Sequence, residues 1–209
     1  MTMKIRRART EDWVRIRDLC CLTANGGSSI DRARWEFFGE QWVGPYERLL
    51  PEWTWVAVDA VDRVQGYLTC CPDTIAFRRV KAWRFTLPLL ARLAGGRYLA
   101  NGDTRRFARR ALHLDRGPEE SFPEELRRRI FQQYPAHLHM NVDGRFRSAG
   151  LGKLLIEACL AELRQKHIPG IHLFCGPMPL AFYQRNGFGE IGRLEFRPGV
   201  WVYALGAKI

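Results

Sequence analysis

The residues in this sequence whose types and spacing best suit chemistry lie in the stretch VDGRFRSAGLGKLLIEA, positions 142 to 158. Arg147, Ser148, Ala149, Gly150, Leu151, Gly152 and Lys153 fall just before, and at the start of, an apolar run with helical spacing. A helix N-terminus carries amide hydrogens with no intrahelical partner, and the aligned peptide dipoles add about half a positive charge there. Diphosphate binds such a terminus where the backbone can be approached, and Gly150 and Gly152 permit the approach. Arg147, Lys153 and Arg145 add positive charge around the same point. As a bare pattern Arg-x-x-Gly-x-Gly is weak, because glycine at about 7% of residues produces it by accident on the order of once in five such chains. Its placement after a strand and at the mouth of a helix is what a phosphate cradle requires. Two other phosphate signatures fail. No Gly-Lys-Ser/Thr closes the loop, and Gly144, Gly150 and Gly152 lack the spacing of a dinucleotide-binding turn.

Positioning these residues takes a strand before them and a helix after them. His137 to Val142 (HLHMNV) reads as the strand, with Leu138, Met140 and Val142 on one face and His137, His139 and Asn141 on the other. Leu151, Leu154, Leu155, Ala158, Cys159 and Leu163 repeat at three and four, and Pro169-Gly170 stops that helix after Lys166-His167. Ile171 to Cys175 is a second buried strand, Leu180 to Asn186 a short helix ended by Gly187, and Leu194 to Ala204 a closing strand region. Upstream, Lys4 to Ala8 suits an edge strand, and Thr10 offers an N-cap with Glu11 and Asp12 in the first turn. Asn25 to Ser29 breaks that helix, and Ile30 to Phe38 forms a second, shorter one, with Gly44-Pro45 closing the aromatic-rich region. Trp53 to Asp59 and Val64 to Cys71 alternate as two strands of a hairpin joined near Asp62-Arg63. Between Pro72 and Tyr134 the pattern is irregular, with helical patches at Trp83 to Leu93, Arg105 to Leu114 and Pro123 to Gln133. A structureless loop of about 60 residues is out of place in a compact fold, so this segment reads as a helical insertion.

With 209 residues, 46% hydrophobic and 12% aromatic, the chain can bury a full core. It reads as one domain, 1–209, made of an N-terminal part (1–74), a basic insertion (75–135) and a C-terminal part (136–209). The start, MTMKIRRARTEDW, has no apolar stretch behind its cations, and nowhere do ~18 uncharged apolar residues run together. The expectation is a soluble, cytoplasmic protein with no membrane partner. The six cysteines come as Cys20-Cys21, Cys70-Cys71, Cys159 and Cys175. Adjacent pairs suit neither a local disulfide nor a zinc knuckle, so they read as reduced thiols with no metal. The formal net charge is +11, and residues 75–135 hold 14 Lys and Arg against 6 Asp and Glu, so +8 of it sits there. Trp83, Phe85, Tyr98 and Phe107 interleave those cations, a combination that can track a nucleic-acid backbone and stack bases. No helix-turn-helix, zinc finger or RNA-recognition motif accompanies it, which leaves nucleic acid a minor alternative.

Val142 through Gly152 resembles the acetyl-CoA-binding segment of the GNAT superfamily of N-acetyltransferases, where a strand valine is followed five residues on by Arg or Gln-x-x-Gly-x-Gly/Ala. Such proteins often carry Tyr-x-x-x-Gly-Phe downstream, and Tyr183-Gln184-Arg185-Asn186-Gly187-Phe188 matches it. The N-terminal strand and helices, the Trp53 to Cys71 hairpin and the closing strand also fit, so the resemblance covers about 145 residues and omits the insertion. YPAHLHMNV, before the motif, resembles a bacterial branch similar to the acetyltransferase-like domain of O-GlcNAcases. The resemblance implies an α/β (α+β) GNAT acyl-CoA N-acyltransferase fold, with a central mixed, mostly antiparallel sheet flanked by helices. It implies an N-acetyltransferase that moves an acetyl group from acetyl-CoA (coenzyme A) directly to a primary amine of a small molecule or protein, without a metal. It leaves a homodimer open.

That reaction needs a diphosphate site, a polarised thioester carbonyl, a deprotonated amine and a proton for the departing thiolate. By resemblance, backbone amides of Arg147, Ser148, Ala149, Gly150, Leu151, Gly152 and Lys153 hold the diphosphate. Backbone groups of Met140 and Val142, where the strand splays from its neighbour, hold the pantetheine arm and carbonyl. Tyr183 is the general acid, since a phenol of pKa about 10 can supply a proton to a thiolate of pKa about 8 to 9. His139, and after it His137, is the candidate base, because imidazole accepts a proton near pH 7. Many relatives have a carboxylate in this strand, and Asn141 cannot titrate in its place. Ser148 and Ala149 stand where Gly and a basic residue are usual, Gly144 where Pro is frequent, and Gly176 where many relatives have an Asn that contacts pantetheine. Asn141 and Gly176 motivate an alternative, a catalytically weak acyl-CoA-binding domain. The acceptor is expected opposite the cofactor, walled by Trp35, Trp42, Tyr46 and the 75–135 segment, whose charge favours an anionic small molecule bearing the amine.

Overall fold

The computed structural model describes residues 3–209, the side chain of Ser148 excepted. Its strands are β1 (Lys4–Arg7), β2 (Thr54–Val58), β3 (Val64–Cys71), β4 (Ala136–Val142), β5 (Gly170–Cys175), β6 (Gly189–Arg197) and β7 (Val200–Lys208). Its helices are α1 (Asp12–Thr23), α2 (Trp35–Leu49), α3 (Thr74–Lys81), α4 (Leu87–Ala94), α5 (Gly102–Ala111), α6 (Glu124–Gln133), α7 (Leu151–Gln165) and α8 (Leu180–Arg185). The strands form one sheet in the order β1-β2-β3-β4-β5-β7-β6. Every neighbouring pair is antiparallel except β4 and β5. A parallel pair needs a crossover connection, and α7 provides it. This is the mixed, mostly antiparallel sheet flanked by helices that the sequence led us to expect.

Both faces of the sheet are covered. Leu151, Leu155, Cys159 and Leu163 of α7 pack on Ala57, Leu68, Cys70 and Leu138. On the other face Trp13, Ile16 and Leu19 of α1, with Val43 and Tyr46 of α2, pack on Val56, Val58, Tyr67 and Cys71. Burial on both sides is why β2 and β3 are buried at every residue. The six cysteines are free thiols and only Cys175 is less than fully buried. Among the described residues no helix is long and apolar enough to cross a membrane.

Several elements depart from expectation for physical reasons. Thr10 does not cap α1, which starts at Asp12; the Asp12 carboxylate instead accepts from the Arg9 amide at 2.7 Å and pairs with Arg6. The second helix does not stop near Phe38 but runs through Pro45 to Leu49. Proline inside a helix costs about 3 kcal/mol, offset here by burial of Val43, Pro45 and Tyr46, while Gly44 lets Phe85 approach where a Cβ would lie 3.0 Å from its ring. The closing region is two strands: β6 and β7 form a hairpin turned at Pro198-Gly199, where Gly199 has φ +75°. The insertion starts earlier than its periodicity suggested, because Asp73 accepts from the Ala76 amide and caps α3. A π-helical segment, Ala82–Thr86, joins α3 to α4.

The insertion docks by burying Phe85 and Phe107 and half-burying Tyr98, three of the four aromatics that a nucleic-acid surface would have used, while Trp83 stays exposed. Phe85 and Phe107 are in a cluster with Phe37, and Tyr98 packs edge-on against Phe37 at 5.2 Å. Its cations are partly consumed as well: Arg92 joins Arg17 and Arg48 around the buried Glu40, Arg106 joins Arg34 on the buried Asp103, and Arg97 pairs with Glu36. A buried carboxylate is costly unless so compensated. Replacing Glu40 by leucine therefore removes three charge-assisted contacts at once, and should lower the unfolding free energy in urea by about 2–4 kcal/mol. An unchanged midpoint would show that the insertion is anchored by its aromatics alone.

Candidate active site

The parallel ladder between β4 and β5 consists of Ala136 with Ile171 and His137 with His172. Beyond it β4 stays paired with β3 as far as Val142, so the two parallel strands diverge. The Asp143 amide donates to Gln65 O on the β3 side at 2.8 Å. Backbone groups alternate along a strand, so those of His139 and Asn141 also face β3 and those of Leu138, Met140 and Val142 face the gap. The splay expected around Met140 and Val142 is present, and polar backbone lines it.

The glycine-rich turn sits at the end of this gap. A short 3-10 helix, Gly144–Ala149, leads into Gly150, whose φ of +75° is the left-handed conformation that reverses the chain into α7. Gly150 takes the N-cap position and offers no side chain to the first amides, and Leu154 N is bonded back to Gly150 O at 3.2 Å. Among the described residues the amides of Leu151, Gly152 and Lys153 have no acceptor, as expected at a helix end without a side-chain cap. Gly152 has a second task. A Cβ there would lie 2.7 Å from the Phe182 ring and 3.4 Å from the Met140 methyl, so α7, α8 and β4 meet at this residue.

The basic side chains are arranged differently from the simple halo expected. Arg145 is not free: it donates twice to the buried Asp143 carboxylate, at 3.0 and 2.9 Å, and Arg15 of α1 joins it at 3.0 Å. These arginines hold the Asp143 carboxyl down at about 2, Arg145 contributing most. A depressed carboxyl adds stability above its unfolded value near 4 and loses it as pH falls towards about 2. In that window the loop should open first, seen as faster amide exchange at residues 144–150, and Asp143→Asn should show the same opening at pH 7. Arg147 reaches across to the Gly27 carbonyl at 2.9 Å, lying where any Cβ at Gly27 would stand 2.5 Å from its Nη1. The loop between α1 and α2 therefore docks on the glycine-rich turn. Lys153 is exposed, 3.8 Å from Glu157, Leu151 is buried and Ala149 exposed; the side chain of Ser148 lies outside the described residues.

Tyr183 is buried on α8, edge-on to Phe182 and Phe188 at 5.2 and 5.6 Å, and its hydroxyl has no hydrogen-bond partner among the described residues. Burial, then the neighbouring Cys175, pushes the phenol well up, so it is protonated throughout the neutral range.

A cavity of about 500 Å³ opens beside the gap, lined by Leu138 and His139 of β4, by Cys175 at the end of β5 and by Gly176 after it. Trp42 and Tyr46 form its expected aromatic wall; Trp35 does not, its indole donating instead to Ile30 O and stacking under Arg32. His139 stacks on Trp42, ring centroids 6.3 Å apart, and burial drops its pKa to about 4. Its Nε2 is 3.2 Å from the Asn141 amide nitrogen, which also donates to the Tyr67 hydroxyl at 2.8 Å. As a base for an alkylammonium, His139 is poorly matched in pKa and its acceptor nitrogen is engaged. His137 is further from the task. Thr74 Oγ1 donates to Pro135 O and accepts from His137 Nδ1, while Nε2 accepts from the Tyr46 hydroxyl, both at 2.8 Å. Burial, with His172 alongside, holds it neutral.

Sequence reasoning missed the charged part of this wall, which is Arg78 and Lys81 from α3 with Glu119 and Glu120. Two cations and two carboxylates balance, so the cavity is not the cationic pocket that the segment's net charge suggested. Arg78 pairs with Glu119 at 2.6 Å and Glu120 at 3.5 Å. Burial nevertheless outweighs Arg78 and raises the Glu119 carboxyl above its usual value.

No family model matches the chain. Among solved structures, the crystal structure of SsHAT superposes with a TM-score of 0.77 at 28% identity, covering 100% of this chain and 98% of that one. A GCN5-related N-acetyltransferase from Kribbella flavida gives 0.58 at 16% identity, covering 99% and 98%. This chain has the GNAT fold. The NatC complex bound to Gag peptide and CoA, at 14% identity and a TM-score of 0.51 over 100% and 99% of the chains, adds a solved case with the coenzyme present.

Proposed function

We propose that this protein is an N-acetyltransferase that moves an acetyl group directly from acetyl-CoA to a primary amine. The observation that carries the proposal is the parting of β4 from β5 beside an uncapped, glycine-started α7. Diphosphate would be held by the turn from Arg147 through Lys153, by way of its free amides. The gap-facing backbone of Met140 and Val142 would hold the pantetheine arm and polarise the carbonyl. Acetyl-CoA, when bound, supplies an activated acyl group. Tyr183 keeps its proton for the departing sulfur. Glu119 replaces His139 as the proton acceptor, because burial raises its carboxyl above the usual carboxylate value, whereas desolvation drops the half-buried His139 imidazole to about 4. His139 then orients the acceptor against Trp42, with Asn141 holding the ring from behind. The balanced charge of the wall supports an amine on a compact, partly apolar body or on a protein side chain rather than a strongly anionic one. Placement near the acetyltransferase-like domain of O-GlcNAcases rests on residues 134–142 alone.

Thiol release from acetyl-CoA across a panel of amines tests the activity. Turnover with one or more amines supports it, and binding without release identifies the catalytically weak alternative. With an active amine in hand, Glu119→Gln should lower kcat/KM by roughly 100-fold. The parent's rate should fall as acid protonates Glu119, and the variant should lose that limb; a retained limb would assign the base elsewhere.

A further inference from the structure

We infer that Lys81 is a self-acetylation site, its side-chain amine receiving the acetyl group in the cavity where acceptor amines are received. The inference rests on the acetyl-CoA reading above. Lys81 ends α3 and its side chain lines the cavity together with His137, His139 and Cys175, beside the place where β4 and β5 part. The Arg78 guanidinium pairs with one oxygen of each carboxylate of that wall, and neither carboxylate lies within 4 Å of the Lys81 amine. Among the described residues Lys81 makes no ion pair within 4 Å, unlike Lys153, while Lys4, Lys166 and Lys208 are exposed. A half-buried ammonium without its own counter-ion loses its proton more readily, and burial lowers the Lys81 pKa here, opposed by Glu119 and helped by Arg78. The neutral amine is the nucleophilic form. A four-carbon stem gives it reach across part of the cavity.

The chemistry balances with acetyl-CoA as the only co-reactant. The Nζ lone pair attacks the thioester carbonyl carbon, the C–N bond forms and the C–S bond breaks. The amine gives up one proton and the thiolate takes one up, leaving Nε-acetyl-lysine and free thiol.

The test incubates the purified full chain with acetyl-CoA and no added amine, and maps acetylated lysines by peptide mass spectrometry. Lys81 should be modified at least tenfold faster than Lys166 or Lys4, and Gly150→Glu should slow Lys81 to their rate. Competitive labelling with acetic anhydride across pH, with no coenzyme present, should place the Lys81 midpoint below that of Lys166. Equal rates at Lys81 and Lys166 in a chain that acetyl-CoA does stabilise against heat would overturn the inference alone. So would an unchanged Lys81 rate in Gly150→Glu, or a Lys81 midpoint matching Lys166. Absence of any stabilisation of the parent by acetyl-CoA would instead overturn the cofactor reading and take this inference with it.

Discussion

Gly150→Glu should abolish the rise in melting temperature that acetyl-CoA gives the parent chain. Ligand at 100 times its Kd stabilises a fold by about 2.7 kcal/mol, which for a chain of this size is a rise of roughly 5–10 °C. A glutamate at this position puts a carboxylate beside the amides of Leu151, Gly152 and Lys153, where like charge opposes diphosphate and costs several kcal/mol. Affinity should fall at least 100-fold, leaving a rise of about 1 °C at the same ligand concentration. The variant remains folded. A Cβ at Gly150 meets nothing within 4 Å, so the structural cost is the left-handed backbone, φ +75°, at about 1–2 kcal/mol. Scanning calorimetry with and without acetyl-CoA separates that small fixed loss from the missing ligand effect. A full ligand-induced rise in the variant would move the diphosphate away from this turn.

Tyr183→Phe should leave acetyl-CoA affinity within about twofold and lower kcat by roughly 100-fold or more, the range for losing a positioned general acid. The ring stays in its place between Phe182 and Phe188, and no hydrogen bond among the described residues is lost with the hydroxyl, so stability should hardly change. Because burial raises the phenol, the parent should show no loss of rate from Tyr183 deprotonation through the mildly alkaline range. Unchanged kcat in the variant would remove the acid assignment. A large change in KM with constant kcat would recast Tyr183 as a wall of the coenzyme site.

What the sequence made legible follows from how local the signals are. The β4–turn–α7 unit was readable because a period-2 strand, two glycines and a period-3.6 helix are consecutive in the chain. Tyr183 could be singled out only through its spacing from Gly187-Phe188. The hairpin of β2 and β3 was legible as a pair, but its double-sided burial was not, because α1, α2 and α7 cover it from distant parts of the chain. Pro45 and Gly44 look like terminators in isolation; tertiary packing against Phe85 decides otherwise. The closing hairpin did carry a signal, Pro198-Gly199, which was overlooked.

The acceptor side was the least legible. Net charge of the insertion suggested a cationic lid, yet charge is a sum over a segment and a cavity is lined by particular residues. Arg92, Arg97 and Arg106 turn to Glu40, Glu36 and Asp103, and only Arg78 and Lys81 reach the cavity, facing Glu119 and Glu120. His139 looked like a base because its neighbours on the strand face were known and its neighbours across the sheet were not. Trp42 and Tyr67 pack beside it, and the Asn141 amide occupies its Nε2. Asn141, a departure from the carboxylate of many relatives, bridges the Tyr67 hydroxyl to that ring and so has a structural task of its own.

The central claim is that the α7 N-terminus and the open edge of β4 together form one acyl-CoA site. Amide hydrogen exchange with and without acetyl-CoA tests it, since among the described residues these groups have no backbone partner and should exchange faster than the rest of α7 and β4 until a ligand accepts from them. New protection should appear at Leu151, Gly152 and Lys153 together with Met140 and Val142. Protection confined to other segments, or none at saturating ligand, would contradict it.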